Sequence, residues 1–289
     1  SQFMKRFPSR RVLITGAGSG LGRALALEFA RRGWRVAVAE IDAGRAKETA
    51  RRVRAAGGEA LEIPCDVCRP EDLEAAARVV GDAWGGLDIL VNNVGSVAAG
   101  RFEQIPLAEW DRILTVNLRS VIHGCRAFIP GFKAQGGGHI VNIASAAGFA
   151  TYPEMAGYNA SKAAVIALSE TLRVELAPHR VGVTVVCPTY FRSNIMEGFT
   201  STDARQRRMA EVLLRRSRTT ADAIARRVVR AVGRGRFRVI TPLGGRAIWL
   251  CQRLFPGLYL RGLTAVYRSG YLEKTFRGRR RPPAADQRP

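Results

Sequence analysis

The chain has 289 residues, of which 47% are hydrophobic, which is enough for one large α/β domain with a sizeable buried core. Its 46 lysines and arginines against 24 acids give a formal charge of +22; no nucleic-acid motif accompanies that charge, so no nucleic acid is expected, and a solvated basic surface or an anionic membrane surface is. Five cysteines (65, 68, 125, 187, 251), three scattered histidines, no signal-like start and no apolar stretch of transmembrane length argue against a disulfide scaffold, a metal site and a membrane span, and imply a cytoplasmic protein.

In chain order, residues 12–14 are a short apolar run followed by glycines, and residues 21–32 repeat apolar side chains at helical spacing up to Gly33. Residues 36–39 read as a second buried strand, 43–56 as a charged helix and 60–64 as a third strand. Pro70, Glu71 and Asp72 open the next helix with proline and acids in its first turn. A fourth strand follows at 89–91, a long helix at 107–132, a fifth strand at 139–143, a second long helix at 158–176 and a sixth strand at 183–186. The polar, arginine-rich stretch 191–219 breaks the alternation after a strand end, as a mobile substrate lid would. A helix at 220–232 and a strand at 237–241 complete the pattern.

Repeated βα units predict an α/β fold: a doubly wound, Rossmann-type parallel sheet with helices on both faces, in a single domain over residues 8–242. Ligands of such sheets bind beyond the carboxyl ends of the strands. Each candidate site residue follows such an end or lies on a helix that faces one.

The run Thr15-Gly16-Ala17-Gly18-Ser19-Gly20-Leu21-Gly22 joins the first strand to the first helix. Gly16, Gly20 and Gly22 allow a tight turn and close approach of a pyrophosphate, and Ser19 and Leu21 stand at the helix start, with its unpaired N–H groups. Glu40 ends the second strand, where an acid accepts from adenosine ribose hydroxyls and repels a 2′-phosphate, so NAD is preferred over NADP. The opposing reading makes Glu40 a surface acid and has Arg23 or Arg45 hold a phosphate. Asp66 and Val67 after the third strand, and Asn93 and Gly95 after the fourth, suit adenine contact and the lining of the cofactor channel; turn formation is the alternative for Asn93.

Tyr158 and Lys162 stand four residues apart on one helical face. A phenol with a pKa of about 10 is a poor base at neutral pH, and a neighbouring ammonium favours its ionised form. Tyr158 then exchanges a proton with an alcohol or ketone oxygen. Ser145 follows the fifth strand, where its hydroxyl reaches the same oxygen. Asn117, polar in an apolar helix, needs partners, and a water linking it to Lys162 supplies one.

Together these motifs resemble the classical short-chain dehydrogenase/reductase (SDR) family over residues 8–195: the glycine run, Asn92-Asn93-Val94-Gly95, and the tetrad Asn117, Ser145, Tyr158, Lys162 in family order. The resemblance implies that Tyr158 is the acid/base, Ser145 orients the substrate oxygen, Lys162 binds the ribose and lowers the tyrosine pKa, and Asn117 holds a relay water. It also implies that Pro188 and Ser193 touch the cofactor, and that the long helices pair subunits into a homodimer or homotetramer. Two departures stand out: Val94 where the family has alanine, and Thr189 after Pro188 where it has glycine.

Residues 243–276 form an apolar, arginine-rich C-terminal extension, with Arg246, Arg253, Arg261 and Arg268 recurring every seven or eight positions and Pro256-Gly257 dividing two helices. Such a hairpin lies on an anionic membrane, covers the pocket or forms a subunit interface. Beside a pocket it favours a lipophilic substrate. Residues 277–289 read as a disordered basic tail. The expected function is hydride transfer between a nicotinamide cofactor and a lipophilic secondary alcohol, ketone or aldehyde. The alternatives are reduction of a fatty acyl thioester or aldehyde, and, from another class, an NAD-binding sensor or membrane-surface scaffold.

Overall fold

The computed structural model describes residues 6–191 and 195–271. Seven strands form one parallel sheet: β1 (Arg11–Thr15), β2 (Arg35–Glu40), β3 (Glu59–Pro64), β4 (Ile89–Asn92), β6 (Gly138–Ile143), β7 (Val181–Pro188) and β9 (Arg238–Thr241). Their spatial order is β3-β2-β1-β4-β6-β7-β9, so the winding reverses between β1 and β4. The crevice beyond that reversal is where a ligand fits in such sheets. Register pairs Ile14 with Val91, and Asn92 with Asn142. A two-stranded ladder of β5 (Ala98–Ala99) and β8 (Thr200–Ser201) was not foreseen; strands of two residues carry no periodicity to read.

The strands are continuous Val, Ile, Leu and Ala runs because helices cover both faces. On one face α1 (Gly20–Ala30), α2 (Ala43–Ala55) and α9 (Ala221–Gly233) bury Leu25, Phe29, Val53, Ile224 and Val228 against the sheet. On the other, α3 (Pro70–Trp84), α5 (Ser120–Ala134) and α7 (Ala156–Glu175) bury Leu73, Val80, Phe128, Phe132, Val165 and Leu172. Local chemistry sets the ends: the Asp42 carboxylate accepts from Arg45 N at 2.8 Å, and Pro70, Glu71 and Asp72 open α3.

The long helix expected at 107–132 is α4 (Leu107–Leu114) and α5 joined by a π-helical segment, Thr115–Arg119, that contains Asn117. The helix period is interrupted where the buried amide finds its partners. The arginine-rich stretch after β7 contains α8 (Ala204–Arg216), which is described as regular helix. The extension forms the two expected helices, α10 (Leu243–Leu254) and α11 (Pro256–Arg268), divided at Pro256. The tail read at 277–289 lies outside the described residues.

Candidate active site

One cavity of about 430 Å³ opens at the carboxyl ends of the strands. Its lining includes Gly16, Ser19, Gly20, Leu21, Glu40, Asp66, Val67, Asn93, Gly95, Ser145, Tyr158, Lys162 and Pro188, so thirteen positions singled out from the sequence meet there. Gly22 and Asn117 stand behind this lining. Ser193 lies outside the described residues.

The glycine run makes a cradle with no room for side chains. Gly16 has φ +61°, and a Cβ on Gly22 would lie 2.1 Å from Gly16 O. Asn93 Nδ2 donates to Thr15 O at 3.0 Å and its main-chain N to Thr15 Oγ1 at 3.0 Å, so this side chain pins the cradle. Ser19 precedes α1 in extended conformation and makes no side-chain cap, which leaves the helix start open to an anion. Glu40 Oε2 accepts from Gly18 N at 2.8 Å, while Arg23 is engaged by Thr49 and Gly18 O, and Arg45 by Glu197 at 2.9 Å. A dinucleotide fits this construction: a side-chain-free turn, an uncapped helix start and a carboxylate at the next strand end. Asp66 Oδ1 accepts from Cys68 N at 2.9 Å and shapes the loop after β3. Cys65 and Cys68 are free thiols; burial pushes Cys65 up to about 12. Among the described residues no group of three His, Cys, Asp or Glu is placed to hold a metal ion.

Three parts of the fold carry the four candidate catalytic residues: the π-helical segment, the turn after β6, and α7. Lys162, buried on α7, donates from Nζ to Ile143 O at 3.1 Å and lies 5.9 Å from the centroid of the Tyr158 ring. Burial lowers Lys162 to about 8. Burial also raises the Tyr158 phenol above its ordinary value, and its hydrogen bond with Ser145 pulls the other way. Desolvation is the larger of these two influences on Tyr158. Ser145 in turn accepts from Ala147 N at 3.1 Å, which fixes its hydroxyl at the start of α6 (Ala147–Ala150).

Asn117 is fully buried. Its Nδ2 donates to Ser96 O at 2.9 Å and Ser161 Oγ at 3.0 Å, and its Oδ1 accepts from Ser96 N at 2.8 Å. One lone pair of Oδ1 stays available to a water. A Cβ on Gly95 would lie 3.1 Å from Lys162 Nζ and 3.4 Å from Asn117 Oδ1, so the missing side chain of Gly95 leaves space between these two groups. Thr189, the departure after Pro188, has an ordinary φ and bonds Thr241 O through its N at 2.9 Å. Its methyl would meet a Cβ on Gly245 at 2.8 Å, so a glycine on α10 makes room for the threonine. Val94 lines the cavity.

The other end of the cavity is apolar; it is bounded by the stretch read from the sequence as a substrate lid, whose individual lining residues were not singled out. Met209, Leu213 and Leu214 of α8 line it, facing Tyr152, Met155 and Phe199. The signal was present: Gln206, Met209, Ala210, Leu213 and Leu214 recur at three and four residues inside an arginine-rich segment whose composition masked them. Glu154 was also missed. It has φ +60°, unusual away from glycine, and its buried carboxylate accepts from Arg205 Nη2 at 2.6 Å, Gln206 Nε2 at 2.8 Å and Tyr267 OH at 3.0 Å. It ties the loop before Tyr158 to α8 and α11. No residue of α10 or α11 lines the cavity, so α8 does the covering that was one expected role of the extension. The reason is packing: Ile248 and Trp249 lie against the main core, and Tyr259 OH bonds Ala150 O behind the pocket.

Residues 10–204 match the short chain dehydrogenase family. Over 191 residues the chain is 44% identical to the "Probable oxidoreductase EphD" of Mycobacterium tuberculosis; the match takes in 66% of this chain and 32% of EphD, so the chain spans about a third of that relative. Over 205 residues it is 35% identical to the D-beta-hydroxybutyrate dehydrogenase of Rhizobium meliloti, with 70% of this chain and 80% of the other covered. A short chain dehydrogenase/reductase from Burkholderia phymatum, solved in complex with NAD, superposes with a TM-score of 0.81 at 31% identity, covering 86% of this chain and 94% of that one.

Proposed function

The chain belongs to the short-chain dehydrogenase family; on that premise we propose that it is an NAD-dependent oxidoreductase interconverting a lipophilic secondary alcohol and its ketone, or an alcohol and its aldehyde. The observation that carries this reading is that Tyr158 and Ser145 open into the cavity whose far wall is the apolar face of α8. When bound, the nicotinamide cofactor supplies or accepts the hydride at the substrate carbon. Ser145 holds the substrate oxygen beside the Tyr158 hydroxyl. With its phenol raised by burial, Tyr158 rests protonated and gives its proton to a ketone oxygen as that oxygen gains charge. In the other direction it must first ionise, and the Lys162 ammonium favours that form. Near neutral pH Lys162 keeps its charge, because burial lowers it only to about 8. A water in the space beside Gly95, held between Asn117 Oδ1 and Lys162 Nζ, would carry the proton onward.

Support for NAD over NADP comes from Glu40 at the end of β2 and from the prior engagement of Arg23 and Arg45. A homodimer or homotetramer, a cytoplasmic location and contact with a membrane surface through the extension belong to the same reading. A second reading, reduction of a fatty acyl thioester or aldehyde, is favoured by one feature: Arg207, Arg208, Arg215 and Arg216 are exposed on the outer face of α8, where the phosphates of a carrier could lie.

The test is a cofactor-coupled survey of alcohols, ketones and acyl thioesters of increasing chain length, with NAD and NADP side by side. The expected result is kcat/KM rising with chain length and higher with NAD. Turnover confined to short polar alcohols would remove the lipophilic reading, and turnover confined to thioesters would replace it with the second.

A further inference from the structure

The extension presents an unusual surface. Its first helix, α10, is anchored by Ile248 and Trp249 on the core, but α11 has no buried residue along its thirteen. A helix this short gains little from its own hydrogen bonds in water, so a packing partner matters to it. At the corner between the helices, residues 254–258 are all exposed; Leu254, Phe255 and Leu258 stand 62%, 59% and 67% open. Large apolar side chains contiguous at an exposed apex mark an interaction site.

The charge around this apex has one sign. Arg246, Arg253, Arg261 and Arg268 are exposed, and there is no acid from residue 243 to residue 271. None of the four has an acidic partner among the described residues. On α10 the exposed positions Arg246, Leu250, Arg253 and Leu254 follow one another at four, three and one residues, so arginines and leucines share a face.

We propose that α10 and α11 dock the protein on an anionic lipid bilayer, with the apex at residues 254–258 in the boundary between headgroups and acyl chains and the arginines on lipid phosphates. A second copy of the same face would set four arginines against four. A nucleic acid would satisfy the arginines and leave the leucines and phenylalanine without a partner. A bilayer with anionic headgroups accepts both. Among the described residues no helix is long and apolar enough to cross a membrane, so the hairpin lies on the surface. The face is continuous with the pocket wall through Tyr267, whose hydroxyl bonds the Glu154 carboxylate that also holds Arg205 and Gln206 at the start of α8. Docking deepens the lipophilic-substrate reading and rests on it for the reason the enzyme would sit at a bilayer; the docking itself does not depend on turnover.

Flotation of the full chain with vesicles of phosphatidylcholine and phosphatidylglycerol, against phosphatidylcholine alone, tests this without substrate. The wild type is expected to float with the mixed vesicles only, and less at high salt. The triple variant Leu254→Ser, Phe255→Ser, Leu258→Ser is expected to bind at least about tenfold more weakly while turning over a short water-soluble alcohol at the wild-type rate. Arg246→Ser with Arg261→Ser and Arg268→Ser is expected to lose the preference for phosphatidylglycerol. Absence of wild-type flotation overturns the proposal, as does a triple variant that floats like the wild type. So does a wild type that ignores vesicles and whose solution mass, by light scattering, drops when the apex leucines are changed, since the face would then join copies of the chain.

Discussion

The two ends of the cavity are built on different terms. At the cofactor end, main chain meets main chain: Gly22 stands so close to Gly16 that a methyl would lie 2.1 Å from its carbonyl oxygen, and Asn93 and Glu40 are bonded into the turn. At the substrate end, the wall is a helix whose apolar side chains face inward, held to the loop before Tyr158 through Glu154. The first end tolerates no change of volume, because backbone cannot step aside. The second can exchange one side chain for another, because flexible apolar groups repack. In the proposed enzyme the sheet thus fixes where the chemistry happens, and α8 sets what reaches it.

The comparison can be broken at its rigid end. Gly22→Ala is expected to cost about 3 kcal/mol or more and to lower NAD affinity more than about a hundredfold, measured by calorimetric titration. Near-normal NAD binding would mean that the cradle has slack the geometry does not suggest. At the other end, Glu154→Ala takes from Arg205, whose side chain is only 10% exposed, its shorter ion pair and leaves it the one to Asp203 at 3.3 Å. The expected loss is about 2 kcal/mol in chemical denaturation, with a larger rise in KM than fall in kcat, since α8 is loosened and Tyr158 is not touched. Equal falls in kcat and kcat/KM would place Glu154 in the chemistry instead. Leu213→Ala is expected to do less: roughly a tenfold loss of kcat/KM for a long-chain alcohol, with a short one unaffected and NAD binding unchanged.

The smallest effect is one of pH. Lys162 titrates at about 8 in the fold and at its ordinary 10.5 when unfolded. Between those values the unfolded chain binds the extra proton, so stability rises with pH across that window and the burial penalty is present in full below it. Lys162→Met is expected to flatten that rise in thermal melts at pH 8 to 10, and to leave a protein at least as stable at pH 7. A melt that still climbs across the window would place the titrating group elsewhere.

The same contrast explains what was legible in the sequence. The cofactor end depends on glycine, and a glycine required by close backbone approach is visible as a letter; so are a strand-end acid and a Tyr/Lys pair one turn apart. Alternation of βα units carried the sheet and the position of the crevice. Asn117 was flagged as a polar residue in an apolar helix, but the π-helical segment that buries it was not, since a one-residue widening leaves the apolar pattern almost unchanged. The substrate wall was obscured because the five inward positions of α8 are interleaved with arginines that dominate its composition. Glu154 had no signal: its partners come from α8 and α11, far along the chain. The extension was correctly divided at Pro256, yet whether it covered the pocket was a question of tertiary packing.

The central claim is that Tyr158 moves the proton at one end of this shared cavity while the cofactor cradle works independently of it. Replacing Tyr158 with Phe removes one oxygen and leaves the ring and Lys162. The account predicts that kcat on the best alcohol found in the chain-length survey falls by about a thousandfold or more, while NAD binds as tightly as to the wild type by calorimetric titration. Turnover within a few fold of the wild type would contradict it.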